Sequence, residues 1–368
     1  MSRPTKALIS KKALCHNYQV AQELAPNSNN LAVVKANAYG HGAVVVASIL
    51  EALVPAFGVA CIEEALELRA GGIQKPVLLL EGIFSSDEVE LAANNNFWIM
   101  VDNSQQAEWV LNANISKPVK VWLKVDTGMH RLGVQPKFVN EIYLALRASD
   151  NVNNDIVLTT HFSSADEHGS GETANQMAIF DKTKASLQDC LDQADNIPCS
   201  LANSAGLLAH PKSHLDWNRI GFMLYGNSPL ERENEASKRL IPVMTLKSAI
   251  ISIREISAGQ SVGYNQTWTA SRTTKIATVA IGYGDGYPRS AKSGTPTLIN
   301  GQIAPLAGRV SMDMITIDVT DITDVKLGDK VILWGPELPV NEVAKCSFTI
   351  GYEALTRMPK RTPSVLVD

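Results

Sequence analysis

The chain has 368 residues, of which 45% are hydrophobic and 19% are charged, a composition typical of a globular protein with two domains. Its 33 basic and 37 acidic residues give a formal net charge of −4. Because it contains no long basic run, nucleic-acid binding is excluded as its main task. Five cysteines without a C-x-x-C pair, and an N-terminus without an apolar core, indicate a cytoplasmic protein with no structural metal and no signal peptide.

Short apolar segments alternate with amphipathic ones over the first 220 residues. A strand at Lys6–Ile9 and a helix at about Lys11–Leu24 come first. Eight further strands are predicted, at Leu31–Val34, Phe57–Ala60, Val77–Leu80, Trp98–Val101, Val119–Val125, Ile156–His161, Cys199–Ala202 and Trp217–Ile220. Helices are predicted between them, including Ile62–Ala70, Ser85–Ala93, Ser104–Leu111, Lys137–Arg147 and Thr173–Gln193. Eight apolar strands alternating with helices predict an α/β fold, a (β/α)8 TIM-like barrel.

One apolar segment, residues 43–62, is long enough to cross a bilayer. Glu51 lies near its middle, and Pro55 and Gly58 interrupt it. A helix to about Leu53 followed by a buried strand explains the segment better, so we expect no membrane partner.

The pattern changes near residue 235. The charged segment 231–238 is typical of an exposed connection, and the sequence after it alternates β-type segments with Gly, Asn and Asp turns. We therefore expect the barrel at 1–235 and a mainly β C-terminal domain at 236–368. The motif GYGDGYP at 282–288 is interpreted as a turn, because no strand-to-helix context supports a phosphate-binding loop.

Polar side chains follow several of the predicted barrel strands. They are Lys35, Lys124, Asp126, His130, Arg131, His161, Asn203, Ser204 and Arg219, which is followed by Gly221. Active sites of such barrels lie at the carboxyl ends of the strands, so these groups are expected to converge at one mouth. A desolvated Lys35 would act as a nucleophile, and Ser204 and Gly221 lie where these barrels bind phosphate. A lysine together with a phosphate site suggests pyridoxal 5′-phosphate as the cofactor.

Each of these residues alone also has a purely structural interpretation. Lys35 would be an ordinary surface lysine, and His161 a core histidine. Arg131 and Arg219 would form structural ion pairs, and Ser204 would cap a helix. The functional interpretation therefore depends on the convergence of all of them.

Seven segments of the sequence resemble bacterial alanine racemases. They are AVVKANAYGHG (32–42), KVDTGMHRLGV (124–134), HFSSAD (161–166), ANSAG (202–206), NRIGFMLYG (218–226), VGYNQTW (262–268) and AGRVSMDM (307–314). The resemblance implies a pyridoxal-phosphate barrel followed by a β domain, in a head-to-tail homodimer with shared active sites. It also implies the interconversion of L-alanine and D-alanine, which supplies D-alanine for peptidoglycan.

Matching these motifs position by position implies a role for each residue. Lys35, the Schiff-base lysine, and Tyr264, which reaches the site from the partner subunit, form the catalytic pair. The cofactor is expected to contact Lys35, Tyr39, Arg131, His161, Asn203, Ser204, Arg219, Gly221, Phe222 and Tyr352. The substrate is expected to contact Arg131, Met312 and Asp313. Positions at the entrance are matched by Asp166, Arg289, Arg309 and Ile350, and a position that is often carbamylated is matched by Lys124.

The mechanism that the resemblance implies uses two bases on opposite faces of the substrate. Lys35 would serve the D-substrate and Tyr264 the L-substrate. Because a free tyrosine has a pKa of about 10, a Tyr264–His161–Arg219 chain would support its action as a base. Arg219 would donate a hydrogen bond, but not a proton, to the pyridine nitrogen, which would limit transamination.

Three alternatives stay open at this point. A broader-specificity racemase would act on serine or a wider set of amino acids. A barrel decarboxylase would favour a catalytic cysteine in the β domain, where the one cysteine, Cys346, lies in no such motif. A non-catalytic pyridoxal-phosphate carrier would lack both the β domain and an equivalent of Tyr264.

Overall fold

Eight parallel strands close the barrel. The computed structural model describes residues 3–192 and 195–368, and strands β2–β9 follow one another around the barrel in chain order. After β1 (Lys6–Ser10) they are β2 (Asn29–Val33), β3 (Phe57–Val59), β4 (Val77–Leu79), β5 (Phe97–Val101), β6 (Val121–Lys124), β7 (Val157–Thr159), β8 (Cys199–Ser200) and β9 (Trp217–Ile220). The predicted barrel is confirmed, and its strands differ from the predictions only at their ends.

Helices lie between the strands in the chain. They are α1 (Lys11–Leu24), α2 (Lys35–Gly40), α3 (Ala43–Leu50), α4 (Ile62–Ala70), α5 (Glu88–Asn94), α6 (Ser104–Leu111), α7 (Val139–Arg147), α8 (Glu172–Gln188) and α9 (Ser204–Ala209). The short α2 is a left-handed turn at the barrel mouth. The prediction was wrong by more than one residue at three ends: α5 begins at Glu88 and not at Ser85, α7 begins at Val139 and not at Lys137, and α8 ends at Gln188. The predicted end of α8, Gln193, lies outside the described residues.

Three tryptophans fill the barrel near the amino ends of their strands. Trp98, Trp122 and Trp217 pack against one another with ring centroids 6.2, 5.5 and 5.4 Å apart. Lys120 lies over the ring of Trp98, 4.8 Å from its centroid. These large rings leave the opposite end of the barrel, where the strands finish, for polar groups.

A second sheet of eight strands forms the mainly β part of the chain. Its path is β15-β14-β17-β10-β1-β18, with β13 beside β10 and β16 beside β13. The elements are β10 (Met244–Ile256), β11 (Ser261–Val262), β12 (Trp268–Thr269), β13 (Thr274–Val279), β14 (Pro296–Ile299), β15 (Gln302–Pro305), β16 (Ile315–Asp318), β17 (Lys330–Trp334), α10 (Val340–Lys345), α11 (Gly351–Thr356) and β18 (Ser364–Val367). Strands β11 and β12 pair separately.

Both ends of the chain belong to this second sheet. Strand β1 pairs antiparallel with β10 and parallel with β18. The first strand therefore lies outside the barrel, and the boundary at residue 235 stays a prediction. Helix α11 packs on α2, which brings residues near the C-terminus to the barrel mouth. In the part of the chain that the structure describes, no helix is long and apolar enough to cross a membrane.

Candidate functional site

A cavity of about 600 Å³ opens at the carboxyl ends of the barrel strands. Twelve of the residues that the sequence singled out line it: Lys35, Tyr39, Lys124, Arg131, His161, Asn203, Ser204, Arg219, Gly221, Phe222, Ile350 and Tyr352. They come from strand ends β2, β6, β7, β8 and β9 and from α11. The fold thus brings together side chains that lie as far apart as residues 35 and 352.

Six other expected site residues do not line this cavity within residues 3–192 and 195–368: Asp166, Tyr264, Arg289, Arg309, Met312 and Asp313. The side chain of Tyr264 is 66% exposed and that of Met312 is 53% exposed. Burial, followed by the charges of Tyr39 and Asp166, raises the pKa of Tyr352, which lines the cavity. All of the six residues except Asp166 lie in the β part of the chain.

A left-handed helical turn follows Lys35 directly. Residues 36 to 39 all have φ between 52° and 53°, and Gly40 has φ of 79°. Left-handed backbone costs an L-residue about 1–2 kcal/mol, so the four residues from Ala36 to Tyr39 store strain that other contacts offset. The turn places Lys35 and Tyr39 on the wall of the same cavity.

Three side chains hold this turn in place. The carboxylate of Glu64 accepts hydrogen bonds from the backbone N–H of Ala36 (2.7 Å) and of Ala60 (2.8 Å), joining the ends of β2 and β3. The amide oxygen of Asn37 accepts a hydrogen bond from the N–H of Ala43 at 2.8 Å. The third side chain, His41, forms hydrogen bonds with backbone carbonyls of the turn.

The imidazole of His41 is buried and stacks on the ring of Tyr225, with centroids 4.5 Å apart. Burial lowers its pKa to about 4, so the ring is neutral. Its Nδ1 lies 3.0 Å from the carbonyl oxygens of both Ala38 and Tyr39, which requires the proton on Nδ1. Two carbonyls of the strained turn are thereby satisfied away from water.

Arg219 is buried and lines the cavity. Its Nη1 donates to the hydroxyl of Thr159 and the carbonyl of Ser200, both at 3.0 Å, and its Nη2 donates to the carbonyl of Leu201 at 3.1 Å. Nη2 also lies 3.5 Å from Nδ1 of His161. Burial lowers the pKa of Arg219 to about 10, so the guanidinium stays charged at neutral pH. Several oxygen acceptors, in place of a carboxylate, therefore orient this cation.

His161 is neutral because of its surroundings. Burial, followed by the charges of Arg219, Lys124 and Arg131, holds its pKa well below the usual value for histidine. A neutral imidazole beside a cationic guanidinium accepts a hydrogen bond from it and keeps its other nitrogen for a second partner.

Lys124 is buried at the end of β6. Burial, followed by the positive charges of Arg219 and Arg131, lowers its pKa to about 8. At pH 7.5 about a quarter of such amines are neutral, against a negligible fraction at the ordinary pKa. An uncharged amine is the form that reacts with electrophiles.

The loop that carries Arg131 is organised by Asp126. The Asp126 carboxylate accepts hydrogen bonds from the N–H of Gly128 (3.1 Å) and of His130 (3.0 Å), and it pairs with the His130 ring at 2.8 Å. Asp126 and His130 shape this loop, whereas Arg131 lines the cavity. This finding corrects the expectation that all three would meet at the mouth.

A small cradle is formed by Ser204 at the start of α9, by the backbone of residues 221–223 and by the side chain of Tyr39. The hydroxyl of Ser204 accepts hydrogen bonds from the N–H of Gly221 at 3.0 Å and of Met223 at 3.3 Å. A Cβ on Gly221 would lie 2.5 Å from the hydroxyl oxygen of Tyr39. The absence of a side chain at 221 therefore lets the hydroxyls of Tyr39 and Ser204 lie close to the same stretch of backbone, an arrangement that suits a phosphate group.

Positive charge predominates in the cavity. Four cationic groups line it (Lys35, Lys124, Arg131 and Arg219), against the carboxylates of Glu81 and Glu353. The described residues contain no group of three or more His, Cys, Asp or Glu side chains that would hold a metal ion. The donor set, an amine for a covalent bond and a cradle for a phosphate, fits pyridoxal phosphate.

Sequence reasoning missed the residues that hold the site residues in position. Glu64 lies on α4 and Thr159, Thr160 and Ser200 surround Arg219, but none of them belongs to a motif quoted above. Thr159 and Thr160 directly precede His161, so their place at the end of a barrel strand was a usable signal. Glu64 had no such signal, because acidic residues are common in the first turn of a helix.

Comparison with known proteins agrees with this geometry. The model of the alanine racemase N-terminal domain matches residues 9–229, and that of the C-terminal domain matches residues 243–366. The alanine racemase of Chromohalobacter salexigens is 47% identical over 99% of this chain and 98% of its own length. The catabolic alanine racemase of Pseudomonas putida is 47% identical over 98% of both chains. The crystal structure of the biosynthetic alanine racemase from Pseudomonas aeruginosa superposes with a TM-score of 0.93 and 43% identity, covering 100% of both chains. The chain therefore belongs to the alanine racemase family.

Proposed function

We propose that the protein is an isomerase that interconverts L-alanine and D-alanine with pyridoxal phosphate as its cofactor. Members of its family depend on that cofactor. The observation that carries the proposal is the shared cavity, which is lined by Lys35, by the cradle at Ser204 and Gly221 and by the buried guanidinium of Arg219.

The individual roles follow from this arrangement. Lys35 holds the cofactor covalently and carries a proton at its Nζ on one face of the substrate. Tyr39, Ser204 and the backbone at Gly221 hold the phosphate, and Arg219 donates a hydrogen bond to the ring nitrogen. When bound, pyridoxal phosphate supplies an electron-withdrawing ring that makes the α-proton of alanine acidic.

The assay of this proposal follows D-alanine and L-alanine separately. Purified protein with pyridoxal phosphate is expected to convert either enantiomer to the racemate, as measured by chiral chromatography. Borohydride reduction followed by peptide mapping is expected to label the peptide that contains Lys35. Label on Lys124 would overturn the assignment of the cofactor site.

Tyr264 of the partner subunit acts as the second base in our proposal. Tyr264 is exposed and lies apart from the cavity of its own chain. Other apolar side chains of the β part are exposed too, among them Met312, Met314, Phe348 and Ile350. An exposed apolar surface of this kind is typical of a protein–protein contact, and the occupant that we propose is a second copy of this chain. Met312 and Asp313 then contact alanine bound in the partner, and Arg289 and Arg309 line the entrance of the partner's site. Asp166 and Ile350 line the entrance of the site in their own chain.

A complementation experiment tests the shared site. Lys35→Ala and Tyr264→Ala are each expected to be inactive as homodimers. In a mixed dimer one site carries both substitutions and the other carries neither. Random mixing makes about half of the dimers mixed, so about a quarter of all sites regain activity. Mixed dimers that bind cofactor but stay inactive would show that Lys35 and Tyr264 act within one chain.

Lys124 is carbamylated in our proposal. Its buried amine, with a pKa of about 8, provides the neutral form whose nitrogen bonds to the carbon of carbon dioxide and then releases one proton to solvent. The resulting carboxylate lies near Arg131 and orients its guanidinium. The two cations would otherwise repel each other across the same cavity.

We infer further that the protein works in the cytoplasm and supplies D-alanine for peptidoglycan. Its relatives include one named as catabolic and one titled as biosynthetic, so the test is genetic. Deletion of the coding gene is expected to produce D-alanine auxotrophy, and growth without D-alanine would contradict the biosynthetic role. A broader racemase is the second candidate, and a panel of L-amino acids with chiral product analysis distinguishes it from an alanine-specific one.

A further inference from the structure

The segment that carries Met312 and Asp313 is held by the GYGDGYP loop at 282–288. The N–H of Tyr283 donates to the carbonyl of Ser311 at 3.0 Å, and the N–H of Gly284 donates to the carbonyl of Met312 at 2.9 Å. A Cβ on Gly282 would lie 2.2 Å from the oxygen of Ser311. Glycine is therefore required for this close contact between two backbones.

A buried carboxylate anchors the GYGDGYP loop. The side chain of Asp285 is fully buried, and its Oδ2 accepts hydrogen bonds from Nη2 of Arg3 (2.7 Å) and from the N–H of Gly282 (2.9 Å). Its Oδ1 accepts a hydrogen bond from Nε of Arg361 at 2.9 Å. A buried charge is tolerated only when it is paired and hydrogen-bonded in this way. Residues near both ends of the chain thus meet at one carboxylate.

Both arginines extend from Asp285 to Asp313. Nη2 of Arg361 donates to Oδ1 of Asp313 at 2.7 Å, and Nη2 of Arg3 donates to the carbonyl oxygen of Asp313 at 3.0 Å. Arg361 therefore joins a buried carboxylate to an exposed one through two different nitrogens of one planar group. The fixed geometry of a guanidinium transmits the position of Asp285 to Asp313.

We propose that Arg361 is a positioning residue for the alanine site: it fixes Asp313, and with it Met312, in the place from which they contact substrate in the partner subunit. This inference rests on the shared site of the proposed function. The Arg361–Asp313 pair is solvent-exposed on both sides, and exposed ion pairs contribute little to folding stability. The link to Asp313 is therefore expected to act on substrate binding, whereas the bond from Nε of Arg361 to the buried Asp285 contributes to stability, so each variant is assayed at a temperature at which circular dichroism shows it fully folded.

The first test compares homodimeric variants, each loaded with pyridoxal phosphate. Arg361→Met is expected to raise the KM for alanine about tenfold, the loss typical of one charge-assisted hydrogen bond, with kcat and cofactor content nearly unchanged. Arg361→Lys keeps the charge but loses the two-nitrogen geometry, so it is expected to restore part of the KM. Arg272→Met is the matched control, because Arg272 forms an exposed ion pair with Asp321 in the same part of the chain. Its KM is expected to equal that of the unmodified protein.

The second test uses mixed dimers in which only one site is competent. In the first arrangement one chain carries Lys35→Ala and Arg361→Met and the other is unmodified, so the competent site receives the altered segment and KM is expected to rise. In the second arrangement Arg361→Met lies in the chain with intact Lys35, the competent site receives an unmodified segment, and KM is expected to stay normal.

Each other outcome overturns the inference. A raised KM in both arrangements, or only in the second, would show that Arg361 acts on the barrel of its own chain or on the molecule as a whole. An unchanged KM in all dimers would show that the contact positions nothing that alanine uses. The Lys35→Ala and Tyr264→Ala cross tests sharing separately, so recovery of activity there together with a normal KM for Arg361→Met would refute this inference alone.

Discussion

Gly40 is the position at which α11 rests on the strained turn after Lys35. A Cβ on Gly40 would lie 2.1 Å from the carbonyl oxygen of Leu355, about 1 Å or more short of an ordinary contact. Gly40 also has φ of 79°. Gly40→Ala therefore brings two separate penalties, one for left-handed backbone and one for overlap with a neighbouring backbone.

Gly72 separates these two penalties. It has φ of 89°, and a Cβ there would meet nothing within 4 Å. Gly72→Ala is expected to lower the free energy of unfolding by about 1–2 kcal/mol through its backbone alone. Gly40→Ala is expected to lower it by a further 1–3 kcal/mol or so, because overpacking requires α11 to move. Urea unfolding of both variants without cofactor, followed by circular dichroism, measures the difference.

The displacement of α11 also reaches the site, because Tyr352 lies on the same helix three residues before Leu355. Gly40→Ala is therefore expected to weaken the binding of pyridoxal phosphate several-fold, as measured by equilibrium titration, while Gly72→Ala leaves it unchanged. Equal losses of stability in the two variants, with equal cofactor affinity, would refute the reasoning that the contact with Leu355 holds the site together.

Four further predictions concern the cavity. Glu64→Gln keeps one acceptor for the two N–H groups of Ala36 and Ala60, so it is expected to lower cofactor affinity less than Glu64→Ala does; equal affinities for both variants and the unmodified protein would exclude a role of Glu64 in holding the turn. In buffer free of carbon dioxide, the pKa of Lys124 lies at about 8 in the folded protein and at its usual 10.5 in the unfolded one. The unfolded chain therefore binds more protons between these two pH values, so the free energy of unfolding rises with pH across that window. Lys124→Met is expected to remove this rise, and a rise of the same size in the variant would contradict the prediction. Lys124→Ala is expected to lose activity that short carboxylates partly restore, and activity of the unmodified protein that is insensitive to depletion of carbon dioxide would refute carbamylation. Arg219→Glu is expected to slow racemisation and increase the share of transamination, because a carboxylate allows the ring nitrogen to hold a proton; an unchanged ratio of pyruvate to racemised alanine would refute the role of Arg219.

Local patterns in the sequence determined the barrel and much of the cavity. An apolar strand followed by a polar residue is a short-range signal, and it located Lys35, Lys124, His161 and Arg219 because parallel barrel strands all end at the same mouth. The family resemblance added Tyr39 and Tyr352, whose positions no strand pattern predicted. Some of the carbonyls and hydroxyls around Arg219 could have been predicted by the same rule, because they lie at the ends of β7 and β8.

Only the tertiary structure decided the backbone conformation after Lys35 and the contacts of the segment that carries Met312 and Asp313. Residues Ala36 to Tyr39 have no local preference for left-handed backbone, so their conformation is imposed by Glu64, His41 and the carbonyl of Leu355, which lie up to 319 residues away in the chain. Likewise Arg3 and Arg361 meet Asp285 across 282 and 76 residues. Sequence patterns report the preferences of neighbouring residues, whereas contacts between distant segments exist only after the barrel and the sheet have packed, and these contacts determine where the reactive groups point.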